Sequence, residues 1–495
     1  MSALIKNSFW GGLATVMNMI AGIVAILIGI RLIGSENFGY LTLLLSFTML
    51  FLAVNKGMTT VLVSRLQESH QQENGQAPEL IGAGLLYTLL SALMLMTFVY
   101  YEGDVVVRAL VYFGDDIFLE NQIITVLYLL TAATLLELFS MLSASAIEGL
   151  GRFDLAAQYN MVYPVSLLTG MCWLMWSEGA PLLTMLASVY FLASLIRFFV
   201  AQYVWLKWIG FDGLRPGDIV LGWGRLNDLS RRGVKIQGAG VLTLFVDPLN
   251  KMLLNLFVGP AGVTHYDLAV RAATSVQNVF SQGFRSFMAL PVHEEGGNSI
   301  RLYLKLLAPS LRIAILMYII AGISFVLIKG MGIVEISSQV IYLFWVIVPS
   351  GLAIIAILPL YHILVRRGDL NYIFKLTALL AVCNVIFSIL LIPMLGLIGA
   401  GVGIIVATLI NCASVFHRYS TCVQPIKNIH NIIGQRYFLF GGGLLLIVIV
   451  PAIILRLFEW MPVVGLSSAV VMILLASGRM WFELRSIWSQ KDEFA

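Results

Sequence analysis

The chain has 495 residues, of which 59% are hydrophobic and only 11% charged, with a net charge of +4 and a mean hydropathy of +0.92. Soluble domains carry about 25% charged residues, so this composition excludes a water-soluble enzyme, and the longest polar stretch, about Lys207 to Arg232, is too short for a sizeable extramembrane domain. In so apolar a chain a small positive charge bears on membrane orientation and gives no footing for a nucleic-acid partner.

Apolar segments near the length needed to cross a bilayer core, about 20 helical residues, recur along the whole chain. They predict fourteen spans at 8–33, 40–63, 81–101, 122–146, 158–176, 181–206, 233–258, 265–290, 306–328, 339–364, 371–392, 396–417, 434–455 and 462–481. The first run follows a single lysine, Lys6, and no small-residue cleavage site interrupts it, so it reads as a retained span and not as a signal peptide. Lysine and arginine then set the orientation. With the N-terminus cytoplasmic, the inner joints hold Arg65, Arg152, Lys207, Arg215, Arg225, Arg231, Arg232, Arg301, Lys305, Arg366, Arg367, Arg418 and Arg485, among others. The outer joints hold only Arg31, Arg108, Lys329 and Arg456, and the acidic loop Glu102–Glu120 also falls outside. Both termini are therefore expected in the cytoplasm.

The inner connector 211–232 mixes Ile219, Val220, Leu221, Trp223, Leu226 and Leu229 with Arg225, Arg231 and Arg232, which suits a helix lying on the membrane surface; a hinge linker is the second reading. It divides the chain into a first bundle at 1–210, a second at 233–417, and two further spans with a tail at 418–495. Each bundle opens with a similar device: Arg31-Leu-Ile-Gly-Ser-Glu-Asn-Phe-Gly-Tyr40 in the first, and Phe257-Val-Gly-Pro-Ala-Gly-Val-Thr-His-Tyr266 in the second. In both a span ends at a glycine, turns, and restarts towards a tyrosine. Internal duplication of this kind is characteristic of alternating-access transporters. The expected architecture is thus an all-α polytopic membrane protein with two pseudo-repeated bundles around a central cavity.

Ionisable groups inside spans are costly unless paired or hydrated, which makes them candidates for function. In chain order they are Lys56 in span 2, Glu137 in span 4, Asp247 and Lys251 in span 7, and Asp267, Arg271 and Arg285 in span 8. Span 8 carries Asp267, Arg271, Ser275, Asn278, Gln282 and Arg285 at intervals of 4, 4, 3, 4 and 3 residues, one face of an α-helix. Span 7 adds Asp247, Lys251 and Asn255 at intervals of four. Such stripes line either a water-filled cavity or a protein interface. The competing arrangement makes Asp247–Lys251 a pair within one helix and lets Arg271 and Arg285 snorkel to the two membrane surfaces. Lys56 likewise either snorkels inward or faces the cavity. Glu137 either pairs with a buried base or carries a coupling proton. Cationic groups outnumber acidic ones in this set, which suits an anionic cargo such as a diphosphate. Four scattered cysteines and six dispersed histidines form no metal-ligand spacing.

Four passages carry a family likeness: the hairpin Arg31–Tyr40; Glu148-Gly-Leu-Gly-Arg-Phe153; Val258–Leu268; and Ile392-Pro-Met-Leu-Gly-Leu-Ile-Gly-Ala-Gly-Val-Gly403. The chain resembles the flippases of the multidrug/oligosaccharidyl-lipid/polysaccharide exporter superfamily, in particular its bacterial polysaccharide-repeat (O-antigen type) branch. That resemblance implies movement of undecaprenyl-diphosphate-linked oligosaccharide from the cytoplasmic to the periplasmic leaflet of the inner membrane. It implies no catalytic residue, no cofactor and no metal, with coupling to a proton or sodium gradient left open. The expected partners are the lipid-linked oligosaccharide and membrane lipid, with polysaccharide polymerase and chain-length machinery as candidates. Rival readings are a cation-coupled drug exporter or a peptidoglycan-precursor flippase of the same superfamily and, from a different class, a membrane polysaccharide polymerase. Gly399, Gly401 and Gly403 read as close helix packing before any substrate contact.

Overall fold

The computed structural model describes residues 2–72, 76–111, 117–176, 183–209, 246–284, 298–332, 336–366 and 370–422, with a few single positions between them. Every regular element among them is a helix: α1 (Ser2–Gln72), α2 (Ala77–Val111), α3 (Ile117–Gly149), α4 (Phe153–Asn160), α5 (Val162–Trp176) and α6 (Leu183–Ile209). The described residues continue with α7 (246–257), α8 (Pro260–Phe284), α9 (Asn298–Gly330), α10 (Ser338–Arg366), α11 (Leu370–Leu395) and α12 (Leu397–Cys422). Eight of these helices are long and apolar enough to cross a membrane. The first of the eight, Trp10–Ser69, runs for 60 residues and contains both predicted opening spans, separated at Gly34, whose φ of 80° breaks the helix. α5 has 15 residues and is preceded by the separate short helix α4. α8 has the length of a span, 25 residues, but carries the polar stripe. Most of the connector 211–232 and the spans predicted at 434–455 and 462–481 lie outside the described residues.

The turns follow from glycine. Gly34, Gly151, Gly259 and Gly396 have φ of 80°, 82°, 95° and 58°, and each falls in one of the four passages singled out in the sequence. At three of them the chain folds back onto the last turn of the helix it leaves. Gly259 N donates to Leu254 O at 3.0 Å, Gly396 N to Ile392 O at 2.8 Å, and Gly151 N to Glu148 O at 2.9 Å. A side chain at such a φ costs roughly 1–2 kcal/mol, which accounts for the residue type.

Packing is organised around α1 and α8. α1 lies along α8, α3 and α2; α6 packs on α3 and α5; α10 joins α8, α9 and α12; and α11 pairs with α12. Phe38, Leu41 and Leu44 of α1 share one core with Val263, Tyr266 and Ala269 of α8 and with Phe344 of α10. Past Gly34 the chain bends back far enough that the Phe38 ring covers Gly29, leaving no room there for a β-carbon. Close to this bend α1 meets the start of α8 almost backbone to backbone. A β-carbon on Gly39 would stand 2.0 Å from the Pro260 carbonyl oxygen, and Thr264 Oγ1 donates to Ser35 O at 2.6 Å. The two glycine turns thus sit against each other at one end of the molecule. Gly399 and Gly401 are packing positions as well. A β-carbon on Gly399 would meet Leu391 O at 2.2 Å, and one on Gly401 would meet Leu343 at 2.7 Å.

Candidate functional site

Near the Gly34 and Gly259 turns, α7 and α8 place their charged residues on facing surfaces. Lys251 is 2% exposed, and its ammonium bonds Asp247 at 2.8 Å on its own helix and Asp267 at 2.6 Å on α8. A third bond goes to Ser46 Oγ of α1 at 2.7 Å. All three ammonium donors are therefore used, as burial of a charge in low dielectric demands. Asp267, with its side chain 4% exposed, takes Lys251 on one oxygen and the Nε of Arg271 on the other at 2.7 Å. The expected pairing within α7 thus exists, together with a cross-helix pairing that ties α7, α8 and α1.

Arg271 does not snorkel to a surface as an isolated cation. It is held at Nε by Asp267, while its side chain keeps 33% exposure. Its terminal nitrogens meet no hydrogen-bond partner among the described residues. Nη1 lies 4.0 Å from where a β-carbon on Gly22 of α1 would stand, so the absence of a side chain there leaves room for the guanidinium fork. Further along α8, Ser275 is half-buried and Asn278 exposed, whereas Val276 on another face is buried. Asn255, one turn beyond Lys251, is buried. The side chains of Lys56, Gln282 and Arg285 lie outside the described residues.

Glu137 of α3 has a partner that the sequence reading omitted. Arg197 of α6 forms an ion pair with its carboxylate, donates to Asn160 Oδ1 at 2.7 Å, and lies over the rings of Tyr159 at 5.1 Å and Tyr163 at 5.9 Å. A signal for Arg197 was present: Tyr190, Ser194 and Arg197 are spaced 4 and 3 apart, a second polar stripe on one helical face. The two charged clusters are neighbours. Tyr163 stands within electrostatic reach of Glu137, Arg197 and Arg271 together, and Tyr190 within reach of Arg271 and Asp267. With Arg197 included, the ion-paired charges of these two clusters balance: Lys251, Arg197 and Arg271 face Asp247, Asp267 and Glu137. The cationic excess expected from the sequence rests on Lys56 and Arg285, whose side chains lie outside the described residues. What the two clusters offer an anion is Arg271, whose side chain is one-third exposed and bonded to Asp267 through Nε alone.

Among solved structures, an inward-facing multidrug resistance MATE family transporter of the MOP superfamily is similar with a TM-score of 0.67 at 14% identity, over 84% of this chain and 96% of that one. The lipid II flippase MurJ in an inward closed conformation also gives 0.67, at 11% identity over 96% and 98%. An outward-facing MATE family transporter gives 0.56 at 14% identity, over 85% and 95%. No curated protein matches the chain in sequence. These identities establish a shared fold, that of a multi-pass membrane protein. A family model described as "Polysaccharide biosynthesis protein" matches residues 4–286, more than half of the chain, including α1 to α8 and all the charged groups above. The chain therefore belongs to the polysaccharide biosynthesis protein family and carries the all-helical fold of the MOP superfamily.

Proposed function

We propose that this chain moves polyprenyl-diphosphate-linked oligosaccharide repeat units from the cytoplasmic to the periplasmic leaflet of a bacterial inner membrane, for assembly of a surface polysaccharide. Fourteen spans in two bundles (1–210 and 233–417), the connector 211–232, the C-terminal pair within 418–495 and cytoplasmic termini belong to this reading. The observation that carries it is Arg271, a guanidinium anchored at one nitrogen by Asp267 on a side chain that is one-third exposed. An arginine fork matches the geometry of phosphate oxygens, and the neighbouring Lys251–Asp267 bridge adds a cation that a stronger anion can recruit. In this orientation the contact between the Gly34 and Gly259 turns lies at the periplasmic end, so the cavity is closed outward. Transport consists of replacing headgroup hydration while the two bundles exchange their openings.

The fold shared with a lipid II flippase keeps a second reading in view, a peptidoglycan precursor as cargo, since it too would present a diphosphate to Arg271. Deletion of the chain separates the alternatives. Complete but unpolymerised lipid-linked repeat units should accumulate on the cytoplasmic leaflet while surface polysaccharide is lost. Accumulation of peptidoglycan precursor would move the reading to the second cargo. Repeats that reach the periplasm and fail to polymerise would replace it with a polymerase.

A further inference from the structure

We infer that Ser46 senses cargo for the outward gate: it holds Lys251 while the site is empty and releases it when an anion draws on Arg271, so that loading unfastens α1 from the α7–α8 hairpin. In the proposed two-bundle division, on which this reading rests together with the proposed cargo, α1 belongs to the first bundle and α7 and α8 to the second.

An unbroken chain of polar contacts runs from the partly exposed Arg271 to α1. Arg271 Nε pairs with one oxygen of Asp267 at 2.7 Å, and the other oxygen of Asp267 takes Lys251 at 2.6 Å. Lys251 then donates to Ser46 Oγ at 2.7 Å. Ser46 is only 4% exposed, and its own hydroxyl proton goes to the Thr42 carbonyl one turn earlier on α1, at 2.8 Å. A hydroxyl has a single proton to give, so towards Lys251 Ser46 acts as a pure acceptor. The same two parts are fastened at a second level, where Thr264 Oγ1 donates to Ser35 O at 2.6 Å. Lys251 and Asp267 each lie eight residues from Gly259, which sets the Ser46 contact about 12 Å deeper than the turn.

The chemistry of the three partners decides which one yields. Asp247 and Asp267 hold the Lys251 ammonium as carboxylates, whereas Ser46 is neutral. A charge-assisted bond is about twice as strong with an ionised acceptor as between neutral groups, so Ser46 is lost first when the cluster rearranges. A diphosphate at Arg271 forces that rearrangement. It competes with Asp267 for the guanidinium, and the carboxylate, left with one cation, draws Lys251 towards itself and away from α1. The Ser35–Thr264 bond then closes the gate by itself. Binding and opening are thereby coupled, and coupling between equilibria is reciprocal. If cargo weakens the Ser46 contact, removing that contact beforehand must tighten the binding of cargo.

The test uses the full chain, without its native cysteines, in lipid nanodiscs, with undecaprenyl diphosphate as the probe. Two quantities are measured: affinity for the probe, and the rate at which cysteines introduced at Ser35 and Thr264 are joined by a short bifunctional thiol reagent. Alanine is the better helix former, so Ser46→Ala keeps α1. It should bind the probe roughly fivefold more tightly than the parent, although it has lost a polar contact. Its cysteine pair should join several-fold more slowly, and the probe should slow it further by less than in the parent. Thr48→Val removes a neighbouring buried hydroxyl that bonds within α1, to Leu45 O at 3.1 Å, and should leave both quantities unchanged. Ser46→Thr, which keeps the hydroxyl, should stay close to the parent. A merely structural Ser46 would make the alanine variant bind the probe equally or more weakly. Either result would overturn the inference while leaving the diphosphate reading in place. Parent protein that does not bind the probe would remove the proposed cargo, and this coupling with it.

Discussion

Lys251 and Asp267 meet at 2.6 Å across two helices, both nearly sealed from solvent, while Asp247, the other carboxylate on Lys251, keeps 41% of its side chain exposed. The three groups therefore differ in how much structure depends on them.

Removing Lys251 should be the most damaging change in the set. Lys251→Met leaves Asp267 with one cation where it had two, inside low dielectric, and breaking a buried pair typically costs roughly 3–5 kcal/mol. Membrane abundance and the midpoint of thermal unfolding in detergent should both fall. Asp247→Asn, at a partly hydrated carboxylate, should lower the midpoint far less. A Lys251→Met protein as stable as wild type would mean that Asp267 is adequately compensated by Arg271 alone.

Arg271 should behave in the opposite way. Because Asp267 retains Lys251 and the Arg271 side chain is one-third exposed, Arg271→Ala should leave abundance near normal while surface polysaccharide is lost and lipid-linked repeat units accumulate. Arg271→Lys should keep partial export, since a lysine supplies charge without the two-pronged geometry. Gly22→Leu should mimic the loss by filling the space in which the fork lies. Abundance falling in step with export in all three variants would assign Arg271 a structural role.

The contact between the two glycine turns should be a moving part. Cysteines at Ser35 and Thr264, whose backbone carbonyl and hydroxyl are joined at 2.6 Å, should be linked by a short bifunctional thiol reagent. Linked protein should stop exporting, and a cleavable linker should restore export on reduction. Normal export by fully linked protein would show that this end never opens.

Along α8, single cysteines at Ser275 and Asn278 should react with a small hydrophilic thiol reagent, and a cysteine at Val276, buried on another face, should react much more slowly. Equal protection at all three positions would mean that the stripe is packed against protein and lines no cavity.

Much of this arrangement was legible from spacing alone. Glycines that end helices were identifiable in the two hairpins, where an apolar run stops at glycine and restarts towards a tyrosine, and Gly34 and Gly259 both have positive φ. The stripe on α8 was legible because residues three and four apart share a helical face. Partners across helices were not, since periodicity reports only neighbours within one helix. The Asp247–Lys251 spacing could suggest their own pairing, but not that Lys251 would also reach Asp267 and Ser46. Arg197 was missed for a related reason. It stands among Leu195, Ile196, Phe198 and Phe199, where the surrounding apolar run masks a lone arginine unless Tyr190 and Ser194 are read with it. Glu137 then had no visible base, although one lay across the α3–α6 contact.

Asp267 also has a bearing on selectivity. Its carboxylate already occupies the position between Lys251 and Arg271 that an incoming anion would seek, so the empty protein carries its own counter-ion. A ligand with a single negative charge offers these cations nothing beyond what Asp267 supplies and must still be stripped of water to reach them. A multiply charged ligand can outbid the carboxylate or share the cations with it. With the proposed cargo, the bridge would act as a charge threshold that a diphosphate passes and a monovalent anion does not.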